Sequence, residues 1–301
     1  MKAYSKYYSM KRVFSVLSLL SISATCLHAQ YESLLKDLEP GKAKKEYVTN
    51  AFKSSRVVNG HSMELIGKGV LDFRILHRFG TVNQGVSEFF GLDQASMRMG
   101  FDYGVGKNLT IGIGRSTLKK ELDGFIKWRA VRQTVGGSPF SWLLITGTSI
   151  FTFKNTEPQA KLAFSSRVAY YYQTIIGRKF TNRFSLQLSP TLVHRNQVNA
   201  GEINDSYALG IGSRFKLSKR TALVVDYFAS LNRPKNSPQR DALSIGFDIE
   251  TGGHVFQLHF SNSSGLNERA FITDTQDRWD KEDIRFGFNL SRVFTVSKNH
   301  R

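Results

Sequence analysis

The fold is decided by an alternating stretch near the C-terminus, Arg285-Phe286-Gly287-Phe288-Asn289-Leu290-Ser291-Arg292-Val293-Phe294. From Phe286 to Leu290 every second residue is large and apolar, and the residues between are Gly or Asn. Residues two apart share one face of a β-strand, so the pattern predicts a strand with one apolar and one polar face.

The same period of two recurs along most of the chain before this stretch. The alternating segments are ten to fifteen residues long for the most part, which exceeds the usual strand of about five or six residues and suits a tilted crossing of a hydrocarbon core about 30 Å thick. We count twelve segments, approximately 64–79, 95–106, 109–116, 123–133, 140–153, 163–180, 184–196, 205–217, 222–231, 241–250, 254–262 and 283–294.

The connections between these segments alternate between short turns and longer loops. This asymmetry is typical of an outer-membrane barrel, in which short turns face the periplasm and long loops face outward. We therefore predict an all-β fold, a single antiparallel transmembrane β-barrel of about twelve strands, and a soluble periplasmic β-protein is the alternative. The short turns are 107–108, 135–139, 181–183, 218–221 and 251–253, and the longer loops are 80–94, 117–122, 154–162, 197–204, 232–240 and 263–282.

The N-terminal residues have the order of a secretory signal peptide. Basic residues precede the apolar stretch 13–24, and small residues precede Gln30, so we predict cleavage after Ala29 and export to the outer membrane. A lipid attached to Cys26 is the rival interpretation. The predicted organisation is a signal peptide at 1–29, a periplasmic arm at 30–62, the barrel at 63–296 and a C-terminal tail at 297–301.

Composition and net charge limit the structural class of the protein and the kinds of molecule that it could bind. The 301 residues carry a net charge of +18 and one Cys, which excludes a disulfide scaffold and a cysteine-built zinc site. An exported basic protein meets lipid and lipopolysaccharide phosphates rather than nucleic acid, and the sequence has no nucleic-acid-binding motif. We expect outer-membrane lipids and lipopolysaccharide as partners, and a small anionic solute is a candidate. No metal or cofactor is expected, and no protein partner is identified.

One face of each predicted strand is apolar and would contact lipid, whereas the opposite face carries charge. Charge is costly in hydrocarbon but not in a polar lumen, so we predict that these residues line the lumen. Two interpretations are open: a narrow anion path, because bases outnumber acids, or an interior filled by ion pairs and hydrogen bonds. The predicted lumen residues are Lys68, Arg74, Arg98, Asp102, Lys127, Arg129, Arg167, Arg195, Arg214, Asp226, Asp248 and Arg285.

The motif that most specifically suggests catalytic chemistry is His259-Phe260-Ser261-Asn262. His259 and Ser261 lie two residues apart and so share a strand face, where they could act as base and nucleophile. The segment resembles the His-x-Ser-Asn segment of outer-membrane lipid A deacylases, which implies a lipid hydrolase. In that family a Glu about a dozen residues onward is thought to orient the His, and this chain has Thr273 there. A polar lumen His and Ser is the interpretation we favour.

Several short motifs occur in a fixed order: Phe79-Gly80, Phe90-Gly91-Leu92-Asp93, Tyr103-Gly104, Gly114-Arg115-Ser116, His194-Arg195-Asn196, Thr251-Gly252-Gly253-His254 and Gly287-Phe288-Asn289. Over most of residues 46–296 the chain resembles an outer-membrane β-barrel family designated a domain of unknown function, number 5777. The resemblance implies the barrel fold and brings no activity with it. The sequence thus predicts a non-enzymatic barrel, either a narrow anion-preferring channel or a structural or partner-binding barrel, with a lipid hydrolase using His259 and Ser261 as the alternative.

Overall fold

A computed structural model describes residues 45–152, 163–252 and 254–297. Twelve antiparallel strands form a closed barrel in which each strand pairs with its neighbours along the chain and the first strand pairs with the last. The predicted fold class and strand number are confirmed. The predicted signal peptide and residues 30–44 of the predicted arm lie outside the described residues, as do residues 298–301 of the predicted tail.

The strands agree closely with the alternating segments of the sequence. Of the described helices, none is long and apolar enough to cross a membrane. The strands are β1 (Val70–Thr81), β2 (Ala95–Gly104), β3 (Leu109–Ser116), β4 (Glu121–Val131), β5 (Ser141–Phe151), β6 (Val168–Lys179), β7 (Phe184–Arg195), β8 (Asp205–Lys216), β9 (Thr221–Ser230), β10 (Ala242–Thr251), β11 (His254–Ser261) and β12 (Arg285–Thr295).

The two faces of the barrel wall follow the predicted alternation. On β2, Arg98 and Asp102 point inward and are buried, whereas Met99 and Phe101 point outward and are each 46% exposed. Closure of the barrel pairs the backbone groups of neighbouring strands while the wall presents an apolar band outside, as a bilayer requires of a β-structure.

The first strand begins later than the alternation suggested, at Val70 instead of residue 64. Gly69 has a φ of +74°, and a Cβ there would lie 2.6 Å from the backbone oxygen of Ser297. Only glycine tolerates both the positive φ and this close approach. The chain therefore bends sharply here, and the residues before Gly69 leave the wall. Likewise β6 begins at Val168 after a short 3-10 turn, Phe164–Arg167, rather than at residue 163.

The connections define two ends of the barrel. We call the end with the connections 105–108, 132–140, 180–183, 217–220 and 252–253 the turn end, and the end with the connections 82–94, 117–120, 152–167, 196–204, 231–241 and 262–284 the loop end. The two ends alternate as expected from the sequence, but two connections differ from the expected lengths: 132–140 at the turn end has nine residues and 117–120 at the loop end has four.

Residues 51–66 lie inside the barrel, and we call them the inner hairpin. Tyr47 pairs with Thr134 at the turn end, and from there the chain enters the lumen, turns between Arg56 and His61, which form a β-bridge, and returns. Residues 51–63 are buried except for Lys53. The expected periplasmic arm, 30–62, therefore differs in its described part: residues 51–62 occupy the lumen because their polar groups bond to the polar wall.

A second segment enters from the loop end. Helix α1 (Glu268–Thr273) belongs to the connection between β11 and β12, and all six of its residues are buried. The Asn267 side chain caps the helix by accepting a hydrogen bond from the backbone N–H of Ala270. A Cβ on Gly265 would lie 2.4 Å from the backbone nitrogen of Phe271, so glycine allows the loop to fold back closely on the helix.

Candidate functional site

The tip of the inner hairpin is held by one carboxylate of the wall. Oδ2 of Asp226 on β9 accepts hydrogen bonds from the backbone N–H groups of Asn59 and Gly60, each at 2.8 Å, and from that of Val58 at 3.4 Å. A Cβ on Gly60 would come within 2.6 Å of the Phe228 ring, so the tip approaches the wall as only glycine permits.

Side chains from the seam between β12 and β1 and from neighbouring strands bind the same tip. Nη2 of Arg78 donates to Oδ1 of Asn59 at 2.7 Å, and Nδ2 of Asn59 donates to the Ser244 hydroxyl at 2.9 Å. Nδ2 of Asn289 donates to the carbonyl oxygen of Val58 at 3.0 Å. Polar groups brought into the lumen by the tip thus meet partners on several strands, which offsets their desolvation.

The base of the hairpin is bound mainly by cations. The guanidinium of Arg74 donates to the hydroxyls of Ser54 and Ser55 at 2.7 and 2.9 Å. Nζ of Lys127 donates to the backbone oxygen of Glu64 at 2.6 Å. Hydrogen bonds to charged groups are stronger than those between neutral groups, so these contacts fasten both strands of the hairpin to the wall.

The two lumen segments meet at a buried ion pair. Nη1 of Arg56 in the inner hairpin lies 2.9 Å from Oε1 of Glu268 in α1, and both side chains are 1% exposed. Nε2 of His61 lies 3.4 Å from the same oxygen. The lumen is therefore occupied from both ends, and the occupants are joined in its interior.

An ion pair and a ring contact help to fix helix α1 to the wall. Arg269 donates from Nε and Nη2 to the two carboxylate oxygens of Glu121 at 2.6 and 2.9 Å, a bidentate geometry that fixes both groups. Phe271 packs against Phe228 with ring centroids 4.7 Å apart. Phe228 also touches the hairpin tip, so one aromatic side chain supports both occupants.

The structure brings together most, not all, of the predicted lumen residues. Arg74, Arg98, Asp102, Lys127, Arg129, Arg214, Asp226 and Asp248 are inward-facing and buried. Arg167, Arg195 and Arg285 are half-buried at the loop end. The prediction for Lys68 is wrong: it is exposed and precedes β1, because the chain leaves the wall at Gly69.

Buried wall charges are balanced among the residues that the structure describes. Glu121 and Asp123 were not among the predicted lumen residues, and Asp123 pairs with Arg98 while Glu121 pairs with Arg269. These acids remove the basic excess expected for the inner wall. The buried wall bases are Arg74, Arg78, Arg98, Lys127, Arg129 and Arg214, and the acids whose side chains lie among them are Asp72, Asp102, Glu121, Asp123, Asp226 and Asp248.

The two residues of the hydrolase hypothesis share a face of β11, as predicted, and both are buried on the lumen side. The Ser261 hydroxyl accepts from the Ser244 hydroxyl at 2.7 Å and from the backbone N–H of Ser263 at 3.0 Å. Neither ring nitrogen of His259 has a hydrogen-bond partner among the described residues. The nucleophile-to-base hydrogen bond that a serine hydrolase needs is therefore not formed.

Sequence reasoning missed the inner hairpin and helix α1. The dipeptide Asn59-Gly60 is a turn signal and could have indicated the hairpin tip. Asn267 followed by Glu268 could have indicated the start of a helix. Neither signal says that the segment lies in a lumen, because that depends on partners far away in sequence.

A metal site has no support among the described residues, since no three His, Cys, Asp or Glu side chains there are grouped as ligands. The expectation that the protein uses no cofactor stays a prediction.

The family model described as "Membrane bound beta barrel domain (DUF5777)" matches residues 52–294. The match includes all twelve strands almost completely and begins within the inner hairpin. No curated protein matches the sequence.

Three solved structures are similar in fold. The NanC porin is 8% identical, with 74% of this chain and 98% of that chain covered and a TM-score of 0.47. The KdgM porin is 10% identical, with coverages of 75% and 99% and a TM-score of 0.45. LpxR from Salmonella typhimurium is 9% identical, with coverages of 75% and 97% and a TM-score of 0.37. At these identities the similarity concerns the barrel fold alone.

Proposed function

Because this chain belongs to the membrane-bound β-barrel domain family DUF5777, we propose that it lies in the outer membrane as a non-enzymatic barrel whose lumen is closed to solutes. The outer membrane is supported by the alternation of short turns with long loops and by the signal peptide expected at 1–29. The outer surface would then contact outer-membrane lipids, with lipopolysaccharide around the loop end.

One observation carries the closed state: the inner hairpin and α1 occupy the lumen from opposite ends and join at Arg56 and Glu268. A path for solutes would require this buried pair to separate, and an unpaired buried charge is costly. The protein therefore acts as a structural or partner-binding barrel in this state rather than as an open anion channel.

The balance of buried wall charges supports the same conclusion. An anion path needs a surplus of positive charge facing the solute, whereas the described wall bases are matched by carboxylates. Arg98 is engaged by Asp123, and Arg74 by Asp72. The ammonium group of Lys127 donates hydrogen bonds to backbone oxygens of the hairpin.

Ionic current across a planar bilayer tests the closed state. The full protein is reconstituted and compared with the double variant Asp226→Ala/Glu268→Ala, which frees the hairpin tip and the junction together. We expect no discrete current steps from the wild type and steps from the variant. A matched double variant, Asp205→Ala/Asp280→Ala, removes two exposed carboxylates and should stay silent.

Stable steps from the wild-type protein, as frequent as those from the double variant, would overturn the closed state. The reversal potential under a salt gradient would then report whether anions are preferred. In that case neutralising Arg98, Lys127 and Arg129 should lower the preference.

The hydrolase alternative has less support because Ser261 and His259 are turned away from the lipid and engaged elsewhere or unpaired. Incubating the folded protein with lipid A and phospholipid tests it directly. We expect both lipids to remain intact. Hydrolysis by the wild type that disappears in Ser261→Ala would overturn the non-enzymatic assignment.

A further inference from the structure

A cavity of about 780 Å³ opens at the loop end, beside helix α1. Its walls come from the connections that follow β3, β5, β7 and β11, and its size is in the range of small-ligand sites. Five cationic side chains line it: Lys119, Arg167, Arg195, Arg269 and Arg285.

The carboxylates that line this cavity are all engaged. Asp274 accepts from both Lys119 and Arg269, each at 2.8 Å. Glu202 lies 2.8 Å from Nη1 of Arg195, and Asp277 lies 2.7 Å from Nη2 of Arg285. A ligand entering the cavity therefore meets carboxylates that are already neutralised by neighbouring cations.

Among the residues that the structure describes, Arg167 is the cation of this cavity without a counter-ion. It makes no ion pair and no side-chain hydrogen bond with any described residue, and its Nε is buried without a partner. Arg195 lies opposite Ala169, two residues from Arg167, so two arginines start from neighbouring backbone positions. A guanidinium offers several N–H groups in a plane, a geometry that matches carboxylate and phosphate oxygens.

The rest of the lining is polar and uncharged in large part. Gln197, Ser264 and Gln276 bring amide and hydroxyl groups to the cavity wall. Such groups hydrogen-bond hydroxyls and amides of a solute and would orient its body while a guanidinium holds its charge.

We infer that this cavity binds a small hydroxyl-bearing organic anion, whose carboxylate or phosphate pairs with Arg167. The site lies at the loop end, where a solute reaches it without passing the lumen. Helix α1 lines this cavity and also fills the lumen, so the two proposals are tested by different measurements, ligand binding here and ionic current above, and failure of one can be told from failure of the other.

Calorimetric titration of the full protein in zwitterionic detergent at low salt tests the site. Glucuronate and glucose 6-phosphate serve as probes for the two anionic groups, and glucose is the neutral control. We expect saturable binding of at least one anionic probe and none of glucose. Which probe binds more tightly identifies the anionic group.

Arg167→Gln should weaken that binding at least ten-fold. Arg183→Gln removes the same charge from an exposed turn at the other end of the barrel and should change the Kd less than two-fold. Arg167→Lys retains the charge and should fall between them. If Arg167→Gln does not fold, the Kd of Arg167→Lys is compared with that of Arg183→Gln instead.

The inference is overturned if the wild type binds neither anionic probe, or binds glucose as tightly as the anions. It is also overturned if Arg167→Gln and Arg183→Gln bind with the same Kd. Binding of the probes by the wild type is measured without any variant, so this outcome does not depend on whether the variants fold.

Discussion

The inner hairpin and helix α1 fill the same lumen by different means. The hairpin is held by hydrogen bonds from its backbone and its short polar side chains to polar wall residues, as at Asp226. The helix adds an aromatic contact, Phe271 on Phe228, to a bidentate ion pair. The hairpin depends on many directional contacts with the wall, whereas the helix depends on a few strong ones.

The difference shows what a membrane barrel requires of its interior. The outer face must be apolar, so alternation leaves the inner face polar, and a filling segment must satisfy that face group by group. Apolar filling is concentrated in one cluster, in which Phe52 and Met63 of the hairpin and Phe271 of the helix join wall residues such as Phe228. Four substitutions break or sharpen this comparison.

The largest effect is expected where the two segments meet. Glu268→Ala leaves Arg56 buried without its carboxylate and should lower the free energy of unfolding by about 3–5 kcal/mol. The midpoint of urea unfolding in lipid vesicles measures it. Asp280→Ala breaks a solvent-exposed ion pair with Arg278 and should leave the unfolding midpoint nearly unchanged. Equal losses in the two variants would contradict the importance of the junction.

Next in size is the aromatic contact of the helix. Phe271→Ala removes a fully buried ring and leaves a cavity beside Phe228, so we expect a loss of about 3 kcal/mol. Phe89→Ala, at a ring that is 59% exposed in the loop after β1, should change stability by no more than about 0.5 kcal/mol. The same urea titration compares them, and a small effect at Phe271 would mean that the helix is held by its ion pairs alone.

A smaller effect is expected at the hairpin tip. Asp226→Asn keeps the shape but removes the charge that accepts three backbone N–H groups, which should cost about 1–3 kcal/mol. Hydrogen exchange of the Asn59 and Gly60 amides should accelerate in this variant. Asp205→Asn, at an exposed loop-end carboxylate, should leave their exchange unchanged. Unaltered exchange in Asp226→Asn would show that the tip does not depend on this carboxylate.

The smallest effect depends on pH. Burial alone would raise the pKa of Asp274, but the charges of Arg269 and Lys119 outweigh it and lower the pKa to about 2. Since the pKa is below the usual value of 3.8, the carboxylate stabilises the fold above about pH 4, and this contribution is lost as the pH falls toward 2. We expect a contribution of about 1–2 kcal/mol.

Urea midpoints at pH 6 and pH 2.5 measure this contribution. Asp274→Asn should be less stable than the wild type at pH 6, and the difference should shrink at pH 2.5. A difference of constant size at the two pH values would mean that the ionised carboxylate is not what stabilises the loop.

The barrel wall could be predicted from the sequence because its cause is local. Period-two alternation located all twelve strands, and β3 has the predicted bounds 109–116. The errors occur where a local pattern continues past the wall, as at residues 64–69, where Gly69 turns the chain into the lumen. Alternation reports which side chains face lipid, but it does not report where a strand ceases to pair.

The filled lumen could not be predicted because its contacts are distant in sequence. Asn59 binds Ser244 and Arg56 binds Glu268, 185 and 212 residues away. Lumen charges such as Arg98 and Asp226 were recognised by their strand face, but their partners were not. For the same reason the cavity at the loop end, formed by four separate connections, has no signature in any one of them.

The hairpin contacts also restrict how the strands can be aligned with one another. A shift of one residue along a strand turns every side chain to the other face, so Asp226 or Gln187 would point into lipid and lose its hairpin partner. The hairpin therefore fits only one alignment of the strands. The contacts of residues 51–66 thus select the strand register of the barrel. Side chains that bond to it come from β1, β2, β3, β4, β6, β7, β9, β10, β11 and β12.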